Sequence, residues 1–145
     1  MENKYYTPKI EEFHVGFEYE FAFNKKNYTK IVYDGSQVLK SKSYYDDYGC
    51  EYDAVEDDLK YCRVKYLDKE DIESFGFECS DSDVMEDVLE CKKKHKGFDI
   101  LLLQYQHTKV VSIFRGAGEK LTPIFGGLIK NKSELKKILQ MTGVL

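Results

Sequence analysis

The stretch FHVGFEYEF, residues 13–21, sets a bulky apolar side chain at every second position. Phe13, Val15, Phe17, Tyr19 and Phe21 alternate with His14, Gly16, Glu18 and Glu20, and Phe23 extends the series. A β-strand repeats every two residues, so these six residues share one face of a strand, whereas a helix would scatter them around its circumference. Burying each such side chain contributes about 1.5–3 kcal/mol. The alternation therefore predicts a long first strand over 12–23, with its aromatic side turned into a core. NKKN at 24–27 reads as the turn, and YTKIVYD at 28–34 as the partner strand, ending at Asp34-Gly35.

The rest of the chain continues in short elements. YCRVKYL at 61–67 has strand composition. LDKEDIESFGF predicts a short helix, with Asp68 as its cap, Glu70 and Asp71 in its first turn and Gly76 as its stop. In SDSDVMEDVLECKKKHKG the pairs Val84/Met85 and Val88/Leu89 are four residues apart. Acids also precede lysines, so a helix is expected from near Asp81. FDILLLQYQ at 98–106 reads as a central strand covered on both faces. KVVSIFR at 109–115 should pair with it through a turn at His107-Thr108. LTPIFGGLI reads as a further strand whose Pro123 belongs at an edge or bulge. In NKSELKKILQMTGVL, Asn131 and Glu134 have capping-box spacing, Leu135, Ile138 and Leu139 form one apolar face, and Gly143 is a stop. The expected fold is α+β: a mostly antiparallel, twisted sheet of five or six strands with two or three helices, the C-terminal helix packed on the sheet.

A chain of 145 residues with no Pro- or Ser-rich linker reads as one globular domain, 1–145. An acidic, tyrosine-rich surface excursion is expected at about 35–59, where no clean period exists. The N-terminus lacks an apolar signal core, and the longest apolar runs are too short to span a bilayer. A cytoplasmic protein with no membrane partner follows, and its cysteines, Cys50, Cys62, Cys79 and Cys91, are then expected to be reduced. The net charge of −4 conceals an asymmetry. Residues 34–90 hold 18 acids against 6 bases, and residues 91–145 hold 3 acids against 11 bases.

Three blocks, YTPKIEEFHVGFEYE near the start, RVKYLDKEDIESFGF in the middle and GLIKNKSELKKILQMTGV near the end, occur together. They resemble a group of small uncharacterised proteins encoded by phages and prophages of gut-type anaerobic bacteria. The resemblance implies a phage or prophage accessory protein acting in the host cell, and it brings no site residues with it.

No catalytic signature is visible, so no catalytic residue, cofactor or metal site is assigned. The cysteines are 12, 17 and 12 residues apart, without the close pairs of a structural zinc site; only Cys91 and His95, at i and i+4, would share a helical face. Glu18 and Glu20, on the polar side of the first strand, are spaced to flank a cation or base, whereas His14 and Glu18 are too far apart to touch. His95 and His107 have no visible orienting carboxylate. KKKHK at 92–96 is a basic run, but the net acidity and the lack of a motif weigh against nucleic acid. The tyrosine-rich segment is the strongest candidate for a protein contact: Tyr44, Tyr45, Asp46, Asp47, Tyr48, Glu51, Tyr52 and Asp53. These readings favour a non-enzymatic binding module for a host protein. The alternative is an oligomeric protein that sequesters a small anionic ligand with Arg115 and Lys120 of the RGAGEK loop, which lacks the helix of a phosphate loop. A second alternative is a small enzyme with a carboxylate-based site at Glu18 or Glu20.

Overall fold

The computed structural model describes residues 4–22, 27–34, 43–45, 51–53, 59 and 61–145, with the backbone alone for 43–45 and 51–53. The chain divides into two compact units, 1–66 and 67–145.

Unit 1 is built on a four-stranded antiparallel sheet of β1 (Tyr5–Tyr6), β2 (Glu18–Ala22), β3 (Tyr28–Val32) and β6 (Cys62–Lys65), in the order β1-β6-β2-β3. A separate ribbon pairs β4 (Ser43–Tyr45) with β5 (Glu51–Asp53). The expected strand over 12–23 is cut short at its start. Ile10–Glu12 form a 3-10 turn, and the chain turns again before β2 through Gly16, whose φ is +92°. Val15 sits on this turn and is 73% exposed, whereas Phe17 and Tyr19 are buried. Phe13 still reaches the core, with its ring 4.9 Å from that of Phe17 and 5.0 Å from that of Tyr19. Most of the stripe is therefore a core, joined by Cys62 and Val64 from β6. Phe23 and the turn at 24–26 lie outside the described residues.

Burial pushes the Tyr19 hydroxyl above its ordinary value of 10.0, and Cys62, Tyr33 and Asp34 push it the same way. The unfolded chain therefore ionises first. The contribution of this group to stability is intact below about pH 10 and is lost as pH rises through the raised folded value. Tyr19→Phe is expected to flatten the fall in unfolding free energy between about pH 9 and 11, measured by urea titration at each pH. An unchanged slope would exclude Tyr19 as its source.

Unit 2 is a five-stranded antiparallel sheet of β7 (Glu78–Asp81), β8 (Val88–His95), β9 (Phe98–Tyr105), β10 (Val110–Ala117) and β11 (Lys120–Leu128), in the order β11-β10-β9-β8-β7. Two helices accompany it, α1 (Lys69–Glu73) and α2 (Lys132–Met141). The α+β class is as expected, with a C-terminal helix on the sheet, but the strands divide into sheets of four and five rather than one sheet of five or six. Leu135 and Leu139 of α2 and Ile72 of α1 share one core with Cys91, Leu102, Val111 and Ile113.

Both helices start where their capping residues predict, and α2 also stops at its glycine, whereas α1 ends at Glu73 and continues as a turn to Gly76. Asp68 accepts from the Asp71 amide at 3.0 Å. Asn131 accepts from the Glu134 amide at 2.9 Å, while the Glu134 carboxylate turns to the Lys130 amide. At the end of α2, Gly143 takes φ +73°. The amides of Gly143 and Val144 donate to the carbonyls of Gln140 and Leu139, which closes a Schellman motif. β11 is an edge strand with a bulge opposite Ile113/Phe114, next to Pro123, as a proline in a strand requires.

The helix expected from Asp81 does not form. Residues 82–87 are a turn, in which the Ser82 hydroxyl accepts from the amides of Val84 and Met85, and Val84 is 91% exposed. From Val88 the chain is strand β8, joined to β9 by Lys96 and Gly97 with φ of 49° and 82°. Two successive positive φ values make a type I′ hairpin turn, and glycine carries its second position without strain.

Candidate functional site

The outer face of the unit 1 sheet carries the most organised polar cluster among the described residues. Glu20 lies directly opposite Arg63, Ala22 opposite Tyr28, and Tyr5 opposite Lys65. Residues opposite each other in a ladder point the same way, as do alternate residues along a strand. Tyr5, Arg63, Glu20 and Tyr28 therefore share one face, while Tyr6, Cys62, Val64 and Tyr19 turn to the core. The Arg63 guanidinium lies over both rings, 3.9 Å from the Tyr5 centroid and 3.7 Å from that of Tyr28. Its Nε donates to Glu20 Oε2 at 2.9 Å.

This is a planar cation clamped between two π-faces and oriented by a carboxylate. Cation–π contacts of this kind contribute about 0.5–2 kcal/mol each. The Arg63–Glu20 pair is only partly exposed, with side-chain exposures of 31% and 26%. A cleft of about 440 Å³ opens beside it, lined by Tyr5, Tyr6, Thr7, Tyr28, Arg63 and Tyr66 among others. The Tyr6 and Tyr66 rings are 4.8 Å apart, and the Tyr6 hydroxyl donates to Glu12 Oε1 at 2.8 Å. The arrangement offers rigid aromatic area with a fixed positive centre.

Glu18 and Glu20 each meet a different side chain of the chain itself: Glu20 meets Arg63, and Glu18 meets Lys30 at 3.9 Å. His14 lies outside the strand, with its Nδ1 3.0 Å from the Glu12 carbonyl oxygen. Of the tyrosine-rich segment, the ribbon sets Tyr44 opposite Tyr52, Tyr45 opposite Glu51 and Ser43 opposite Asp53. Asp46, Asp47 and Tyr48 lie outside the described residues.

In unit 2, Cys91 and His95 are strand residues rather than neighbours on a helix. Cys91 is tied to Cys79, its register partner on β7, in a disulfide, which corrects the expectation of reduced cysteines at these two positions. Cys62 is buried, and Cys50 lies outside the described residues. His107, for which the sequence offers no carboxylate, meets Asp87 at 2.7 Å on the surface. The basic run 92–96 splits between faces. Lys92 and Lys94 lie along a cavity of about 540 Å³ with Glu78, Asp99, Leu101 and Leu121, and are paired with Glu90 and Asp99. Lys93 points to the other face, where its Nζ donates to the Phe75 carbonyl at 2.8 Å. Arg115 and Lys120 come to the same face of the β10–β11 hairpin. Arg115 pairs with Thr122 and Lys120 with Ala117, and the Arg115 guanidinium is 4.1 Å from the Phe98 ring centroid.

Among the described residues no three or more His, Cys, Asp and Glu side chains are grouped to hold a metal ion, and no helix is long and apolar enough to cross a membrane. Compared with models of protein families, with curated proteins and with solved structures, the chain matches none of them.

Proposed function

We propose that this chain is a non-enzymatic binding module of a phage or prophage that engages a host protein in the cytoplasm through the tyrosine-rich surfaces of unit 1. The observation that carries this reading is the Tyr5–Arg63–Tyr28 stack. Tyrosine and arginine are enriched in binding hot spots, tyrosine because it brings large contact area for little conformational entropy and arginine because it brings directional donors. Here the two rings and Glu20 already hold the guanidinium, so less side-chain freedom is left to lose when a partner docks. Tyr28 is 40% exposed at the edge strand β3, where a partner has access to it. The ribbon sets tyrosine and acidic residues on adjacent rungs, a composition suited to a partner with basic or polar groups. The phage origin rests on the three sequence blocks.

The test is capture from a bacterial lysate with the tagged chain, followed by titration of the purified partner. Tyr28→Ala and Arg63→Lys are expected to weaken that binding about 30-fold or more, the scale of a hot-spot truncation, while thermal melts show both variants still folded at the binding temperature. Arg63→Lys is the sharper variant, because lysine keeps the charge beside Glu20 but loses the planar stack. Tyr44→Ala with Tyr45→Ala and Tyr48→Ala reports on the ribbon separately. Full binding by all of these variants would exclude both surfaces.

A further inference from the structure

We propose that the far end of the unit 2 sheet is a binding site for a small phosphoryl-bearing anion, held by Lys93, His95, Arg115 and Lys120. The register supplies the grouping. One rung runs Lys93, Ile100, Arg115, Thr122 across β8, β9, β10 and β11. In the next rung outward His95 pairs with Phe98, and Ala117 with Lys120. All four basic side chains therefore lie on the face that Cys91, Leu102 and Ile113 turn to the core. No acidic residue stands on that face in either rung: Asp99 belongs to the opposite face, and Glu119 lies in the hairpin turn.

Four details indicate a ligand rather than a solvated cluster. None of the four basic groups has a carboxylate partner among the described residues, in contrast to Lys92 and Lys94 on the other face. The Arg115 guanidinium carbon sits 4.1 Å from the centroid of the Phe98 ring, which is 39% exposed, so the cation is positioned on the ring while its N–H groups are left for the forked contact that phosphate favours. The Nε2 of His95 is buried with no hydrogen-bond partner, and a buried polar atom of this kind is normally satisfied by something. Lys93 is anchored on the Phe75 carbonyl through one donor and keeps others for a ligand.

Size selects the class of ligand. Two rungs span about 7 Å and three strand intervals about 14 Å. That area accommodates one to three linked phosphoryl groups rather than a length of nucleic-acid backbone. The site lies in unit 2 and does not depend on the partner-binding reading of unit 1, so either can fail alone.

Inorganic tripolyphosphate is the probe, titrated calorimetrically into the full chain at physiological ionic strength. Saturable one-to-one binding is expected. The double variant Arg115→Gln, Lys120→Gln should weaken it about tenfold to hundredfold, as the loss of charge-assisted hydrogen bonds predicts. Lys92→Gln with Lys94→Gln, on the opposite face, should leave it within about twofold, because those lysines are already paired. Thermal melts establish that both variants are folded. Failure to saturate at millimolar tripolyphosphate would overturn the proposal, as would an equal loss in the opposite-face variant, which reports general charge attraction. Tighter binding of a short oligothymidylate than of tripolyphosphate would overturn the small-ligand assignment in favour of nucleic acid.

Discussion

Leu102→Ala is expected to cost about 2–5 kcal/mol, while Leu101→Ala, one residue earlier, costs about 1 kcal/mol. β9 is the middle strand of its sheet, and Leu102 is fully buried between Cys91 on β8 and Ile113 on β10. The side chains of Ile72, Leu135 and Leu139 belong to the same core, so truncation leaves a cavity that several rigid elements would have to move to fill. Leu101 points to the other face, along the open cavity with Lys92 and Lys94, and is only partly buried. Urea unfolding measures both variants as midpoint shifts at constant slope. Equal losses would mean that β9 is sealed equally on its two faces, as its unbroken apolar run suggests, and would contradict the register.

Where local chemistry decides the structure, the sequence is legible. Asp68, Asn131 and Gly143 act within one turn of their own position, so the start of α1 and both ends of α2 follow from a few residues. The segment 82–96 misleads because two signals that suit a helix are not specific to one. Apolar pairs four residues apart also arise when one pair lies in a turn, as Val84 and Met85 do, and the other begins a strand, as Val88 and Leu89 do. Acids ahead of lysines match a helix dipole, yet here they match a turn followed by a strand with alternating exposed lysines. Lys96-Gly97, two residues between runs of opposite strands, was the signal for the hairpin. The stripe at 13–21 misleads more mildly: Gly16 interrupts the strand, and the aromatic side chains reach the core from a turn instead.

The candidate sites were less legible because they depend on sheet order. Glu20 stands out as the polar side of an alternating strand, but its partner is 43 residues away. Strand β6 enters between β1 and β2, so Tyr5, Arg63 and Tyr28 become neighbours only after a long-range pairing that no turn residue announces. The same holds for the basic end of unit 2. Arg115 and Lys120 sit on one hairpin and can be linked from the RGAGEK loop alone, whereas Lys93 and His95 join them only once the run 92–96 is a strand whose alternate residues face opposite ways.

Opening the Cys79–Cys91 disulfide is expected to destabilise the chain by roughly 2–3 kcal/mol, or roughly 10–20 °C in the melting midpoint of a unit this size. The bond closes a loop with a sequence separation of 12 between β7, an edge strand among the described residues, and its neighbour β8, and Cys91 is fully buried. Among the described residues β7 has no other strand to hold it, so its attachment should be the first to loosen when the bond opens. The measurement pairs melts with and without reductant against the double variant Cys79→Ala, Cys91→Ala, which should melt near the reduced parent and ignore the reductant. Alkylation of the denatured, unreduced chain should leave Cys79 and Cys91 unmodified. Modification of both would mean that the thiols face each other unbonded, and the reductant should then change nothing. The result also bears on the state in which the protein works, since a reducing cytoplasm keeps such thiols open. In a chain quenched with alkylating agent inside the cell, an open pair would make the lower stability the working one in the cytoplasm, and an intact bond would mean that this disulfide withstands the reducing poise there.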